Sequence, residues 1–165
     1  MLRQGGAAYQ VALIIASFGL LAAAVVVLPH TLVETAALLR AQYGLWLPLV
    51  LPAALLPVAV LHEAAHVVAV RAAGLPVRVR LAGGRGRLPA FVTDVPVALP
   101  RRVALAAALA PQPVVLGALV GVARMAPAMW PLCLAIGVLA VAGSAGDLLS
   151  AAALACSRER EVVRR

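Results

Sequence analysis

Four long apolar runs divide the chain. Val11 to Leu28 is interrupted only by Ser17 and Gly19, and further runs extend over Leu45 to about Ala73, Val103 to Ala123 and Ala128 to about Cys156. The first is longer than the ~7–15-residue apolar stretch of a secretory signal and so reads as a retained span. The second and fourth, at about 28 residues or roughly 42 Å of helix, are expected to tilt, kink or protrude. Pro48, Pro52 and Pro57 predict a bend in the second. Between the second and third runs the pattern changes. Val77-Arg78-Val79-Arg80-Leu81 alternates with period two, Gly83-Gly84 marks a turn, and Leu88 to Val95 is rich in Phe, Val and Thr. This stretch reads as a short β-hairpin, the alternative being an arginine-rich surface loop. The expected fold class is an all-α membrane protein of about four transmembrane helices, near 9–28, 45–73, 103–123 and 128–156. The short cytoplasmic-side β-hairpin falls between helices 2 and 3. The whole chain, 1–165, reads as one polytopic domain without internal repeats.

Composition excludes the competing classes. Of 165 residues 64% are apolar and only 12% charged, with a mean hydropathy of +1.04. Soluble domains are about half apolar and a quarter charged, so neither a water-soluble globule nor a disordered chain fits, and the partner is the lipid bilayer. The net charge of +8 would point to nucleic acid in a soluble protein. Here all 14 basic residues are arginine and lie mostly between the apolar runs, which reads as orientation in the membrane, with no nucleic-acid partner. With the N-terminus inside, the cytoplasmic side would hold Arg3, seven arginines from Arg71 to Arg102, and four from Arg158 to Arg165. Only Arg40 and Arg124 would lie outside. The expected localisation is a multi-pass cell-membrane protein with both termini cytoplasmic, and Trp46 and Trp130 then fall at the outer interface. Cys133 and Cys156, about 35 Å apart along one expected helix, cannot pair.

The second span carries the chemistry. His62-Glu63-Ala64-Ala65-His66 places two imidazoles at i and i+4, on one helix face, with Glu63 turned about 100° from them. This is the HExxH pattern: two metal ligands and a general base, with Zn2+ as the usual ion. Iron or cobalt would satisfy the same donors. Chance would supply about 0.002 such matches in this composition. A polar patch holding helices together is the other reading, but three ionisable groups within five residues at membrane depth would be a costly adhesive. A catalytic zinc site needs a third protein ligand. Asp147 is the only other acidic residue inside a span. Counted from the cytoplasmic ends, it and Ala64 lie about 15 Å and about 14 Å deep. Gly143, Ser144, Ala145 and Gly146 would let its helix approach the second span. Asp94 is a reserve ligand. Gln112, in Ala110-Pro111-Gln112-Pro113, lies at a similar depth. It could donate to an oxyanion or orient substrate, or satisfy carbonyls freed by the prolines. Gly117 and Gly121 form a GxxxG pair that reads as helix packing. His30 reads as interfacial.

The HEAAH segment with Ser144-Ala145-Gly146-Asp147-Leu148 resembles the intramembrane metalloproteases related to site-2 protease. More closely, it resembles a bacterial and archaeal membrane family of zincin peptidases whose members carry a late Gly-Asp. The resemblance covers about Leu45 to Cys156. It implies a zinc-dependent intramembrane metalloprotease acting on membrane proteins or peptides, with His62, His66 and Asp147 as ligands and Glu63 as catalytic base. The hairpin is similar to the membrane-associated strands of site-2 proteases. Where those enzymes have Asn-Pro-Asp-Gly, this chain has Ala145-Gly146-Asp147-Leu148, and it contains no asparagine. The alternative function is a non-enzymatic metal-binding protein, or a pseudo-protease that holds helical clients. A transporter is a third option.

Overall fold

The computed structural model describes residues 7–84, 87–94 and 99–156, with side chains from 11 to 79 and from 99 to 156. The described residues are helical apart from one hairpin and short connections. Helix α1 is Ala7–Val27, α2 Pro29–Tyr43, α3 Leu47–Ala72, α4 Arg101–Leu109, α5 Pro111–Met125, α6 Trp130–Gly143 and α7 Ala145–Cys156. Strands β1 (Arg78–Gly84) and β2 (Arg87–Asp94) pair antiparallel between α3 and α4, with Arg78 opposite Asp94 and Leu81 opposite Phe91.

Pro29–Ala72 and Arg101–Met125 are long and apolar enough to cross a membrane. Pro127–Gly143 and Ala145–Cys156, bent by 47°, make a third span if taken together, and Val11–Val27 is a shorter apolar helix. Two to three helices of this length and apolarity are consistent with a membrane protein. Many large apolar side chains point outward, among them Ile15, Phe18, Leu49, Leu56 and Val68, as lipid-facing helices require.

Three local features shape these spans. The segment after the first run is helix α2, joined to α3 through a 3₁₀ turn at Gly44–Trp46. Gly44 takes φ 53° and ψ −126° there, a combination that a Cβ disfavours. The prolines expected to bend the second span do not break it: α3 continues through Pro52 and Pro57. The fourth span, one of the two expected to tilt, kink or protrude, bends sharply at Ser144, whose buried hydroxyl donates to the Ala140 carbonyl at 2.6 Å. Such back-bonding competes with the backbone ladder and bends helices.

Helix α3 ends by a local device. Gly74, at φ 73°, lets its N–H reach the Arg71 carbonyl at 2.9 Å and the Leu75 N–H reach that of Val70 at 3.3 Å, the paired bonds of a Schellman cap. Leu75 packs on a buried cluster of Val70, Leu99, Ala104, Ala107 and Leu154, which holds the end of α3 against α4 and α7. Arg101, at the start of α4, donates to the Ala155 carbonyl near the end of α7 at 2.6 Å, where a cation complements the helix dipole. A second cluster, Leu39, Leu132 and Ile136, joins α2, α3 and α6 at the other end. There the Tyr43 hydroxyl meets the Met129 sulfur at 3.6 Å, bringing the segments that bear Trp46 and Trp130 to the same end.

The GxxxG pair has no packing partner within the chain. Among the described residues nothing lies within 4 Å of a Cβ built on Gly117, Gly121 or Gly143, so none of them mediates a close approach between these helices. That contact falls to Gly137 on α6, where a Cβ would sit 3.6 Å from Leu119 and 3.7 Å from Leu116 of α5. Cys133 is buried on α6 and Cys156 exposed on α7, both free.

Candidate metal centre

His62 and His66 occupy successive turns of α3, with ring centroids 4.9 Å apart and the planes edge-on at 77°. The helical repeat alone accounts for that juxtaposition. Asp147 reaches them by a different route. The bend at Ser144 starts a new helix, and the Asp147 and Leu148 N–H groups bond the Ser144 carbonyl at 3.0 and 3.1 Å. Asp147 therefore sits in the first turn of α7, where the positive end of the helix dipole favours a carboxylate.

Three donor atoms converge. His62 Nε2 lies 3.0 Å from Asp147 Oδ2, His66 Nε2 lies 3.4 Å from the same oxygen, and the two Nε2 atoms are 3.3 Å apart. A tetrahedral zinc ion with ligands at about 2.0–2.1 Å separates neighbouring donors by roughly 3.3–3.4 Å. The donor triangle fits that size. The opposite nitrogen of His66 makes the fit specific. His66 is buried, and its Nδ1 lies 2.7 Å from the Ala107 carbonyl, which can only accept, so Nδ1 carries the proton. In the neutral ring Nε2 then presents a lone pair to an Nε2 and a carboxylate oxygen. A proton on His62 Nε2 bridges to Asp147 in the metal-free site, and a divalent cation can take that proton's place among the three atoms.

Glu63 completes the group, with ligand atoms of His62, Glu63 and His66 all within 4.8 Å of one another. It is partly exposed. The structure thus brings His62, Glu63, His66 and Asp147 together. Gln112 lies in the first turn of α5, and its Nε2 is buried with no hydrogen-bond partner among the described residues. It does not satisfy the carbonyl freed by Pro111, as one sequence reading had it. The Ala107 oxygen, four residues before Pro111, is taken by His66 instead. The side chain of Asp94 lies outside those described. His30 is exposed in the first turn of α2, in another element from these groups.

The contact of His66 with the Ala107 carbonyl was not identified from residue types alone. Its signal was Pro111, which marks an unpaired carbonyl four residues earlier.

Comparison with known families agrees with this chemistry. The family described as "Putative zincin peptidase" matches residues 55–162, about two-thirds of the chain and inclusive of every residue of this cluster. The chain belongs to that family. Zincins are zinc enzymes, and zinc is the cofactor that the histidine pair and Glu63 suit. No curated protein and no solved structure matches the chain.

Proposed function

We propose that this protein is an intramembrane zinc metalloprotease, in which His62, His66 and Asp147 hold the metal and Glu63 is the catalytic base. The observation that carries the reading is the donor triangle of 3.0, 3.3 and 3.4 Å, with a Glu63 carboxylate oxygen within 4.8 Å of a ring nitrogen of each histidine. Zinc bound there supplies a Lewis acid that acidifies water and polarises a carbonyl.

The chain's own residues account for the rest. Glu63 takes a proton from the attacking water as its oxygen bonds the carbonyl carbon. The same carboxylic acid then returns the proton to the amine nitrogen as the C–N bond breaks. The Gln112 amide, whose buried Nε2 has no acceptor among the described residues, is suited to donate to the carbonyl oxygen as it gains charge. Asp147, at a helix N-terminus, holds the negative charge that a cation requires.

The substrate class is a membrane protein or peptide, because the cluster belongs to helices clad in apolar side chains. A helical peptide bond shields its carbonyl. The antiparallel pair β1–β2 beside α3 offers an edge on which substrate could add in extended form. The arginine distribution supports an orientation with both termini and the site's nearer membrane face cytoplasmic. Of that count Arg3, Arg85 and the four C-terminal arginines lie outside the described residues.

The test is cleavage of a reconstituted transmembrane peptide by the purified protein carrying one zinc per chain. Chelator-sensitive cleavage is expected. Zinc bound stoichiometrically with no cleavage of any transmembrane peptide would instead favour a client-holding protein.

A further inference from the structure

Pro111 is among the most completely buried side chains of the protein. A proline has no N–H for the carbonyl four residues earlier, and its ring presses that carbonyl out of the helix. For Pro111 that carbonyl is Ala107. Helical backbone continues through the junction, with Ala110 at φ −56° and ψ −39°, so unwinding does not resolve the mismatch. A carbonyl left without a partner in an apolar interior costs several kcal/mol. Here the Ala107 oxygen accepts the Nδ1–H of His66 at 2.7 Å.

We infer that Pro111 is a positioning residue for the metal-binding face of His66. By withholding an intrahelical donor, it keeps the Ala107 oxygen available to α3. That oxygen fixes the imidazole proton on Nδ1 and leaves the Nε2 lone pair directed at His62 and Asp147. Without such an acceptor the ring can carry its proton on Nε2, where it blocks ligation. The proline thus acts on the metal site through a backbone oxygen and one histidine nitrogen, touching neither metal nor substrate. Pro113, two residues on, is exposed and lacks the N–H that would serve Leu109, so it alters the helix without touching this bond. This inference rests on the reading of His66 as a metal ligand.

The experiment is zinc competition against a chromophoric chelator, using the full chain in detergent as wild type, Pro111→Ala, Pro113→Ala and His66→Ala. Pro111→Ala is expected to weaken zinc binding by about 10- to 100-fold, the usual effect of losing an outer-shell partner. Its thermal midpoint in chelator reports separately on the buried ring's packing, where a modest fall is expected, and zinc affinity is compared under conditions in which every variant is folded. Pro113→Ala should bind zinc as wild type does. Equal affinity of Pro111→Ala and wild type, or equal weakening by both proline substitutions, would overturn the inference. Wild-type affinity in His66→Ala would remove the underlying ligand assignment instead, so the two failures are distinguishable. A measurement without substitution is also decisive. ¹⁵N NMR of chelator-treated wild type should show His66 protonated at Nδ1, and an Nε2–H tautomer would overturn the proposal.

Discussion

His62 Nε2 and Asp147 Oδ2 lie 3.0 Å apart although 85 positions separate them in the chain. Each belongs to a different helix, and no covalent neighbour holds them together. The contact is set by α3 and α7 both packing on α4 around Val70, Ala107 and Leu154. Two imidazoles and a carboxylate gathered in such an interior are compatible with a stable fold if a cation balances them.

Asp147→Ala should therefore remove the carboxylate that neutralises the cation while leaving the histidine pair in place. Elemental analysis of the purified variant beside wild type is expected to show loss of stoichiometric zinc. Asp147→Asn, which keeps shape and one oxygen, should retain more. Full zinc in Asp147→Ala would exclude Asp147 as a ligand.

Glu63 stands apart from the proposed ligands in what its loss should do. Glu63→Gln is isosteric and cannot take a proton, so peptide cleavage should fall by about 10²- to 10⁴-fold. Zinc content should remain at the wild-type level. Surviving activity would place the base elsewhere.

Zinc removal should loosen the bundle as well as silence it. A ligand that binds only the folded state stabilises it by about 2.7 kcal/mol at a free concentration 100-fold above Kd, and here it would join α3 to α7. Chelation is expected to lower the thermal midpoint of wild type and to leave that of Asp147→Ala unmoved. A midpoint insensitive to chelator in wild type would show that no metal links the two helices.

Much of this architecture was legible in the residues, for identifiable reasons. The i, i+4 spacing of His62 and His66 defines a shared face in any helix, and Asp147 could be matched to them by counting depth along apolar runs. The break at Ser144 could not be read. It arises from one hydroxyl bonding the Ala140 carbonyl, and small residues in an apolar run carry no period that marks such a bond. Helix α2 was hidden because Pro29–Tyr43 mixes polar and apolar residues without a clear stripe. What the GxxxG pair packs against could not be read for a related reason. Spacing says which residues share a face, not what stands opposite that face.

That last point has its own test. Gly137→Leu should destabilise the packing of α6 on α5 by about 1–3 kcal/mol, since Leu116 and Leu119 already occupy the space. Gly117→Ala and Gly121→Ala should be neutral or stabilising by up to about 1 kcal/mol, because alanine favours helix and nothing is displaced. Thermal unfolding in one detergent checks all three. Destabilisation by either alanine would mean that a second copy or another partner covers that face.

Gln112 offers the sharpest separation of catalytic from structural roles. Its buried Nε2 has no acceptor among the described residues, a state that costs free energy unless some ligand fills it. Gln112→Met keeps the length and volume and removes the unsatisfied donor. If the amide serves only the fold, this substitution should change neither cleavage nor zinc binding. If it donates to the substrate carbonyl as charge develops, turnover should fall by about 10²- to 10³-fold, the cost of losing one such donor. Zinc affinity should then stay unchanged, and the thermal midpoint should hold or rise, because replacing an unpaired buried amide with an apolar isostere relieves its desolvation. Turnover, zinc competition and unfolding on the same preparation give all three readings. A loss of turnover accompanied by a lower midpoint would assign Gln112 to the fold, and full turnover would remove it from the site.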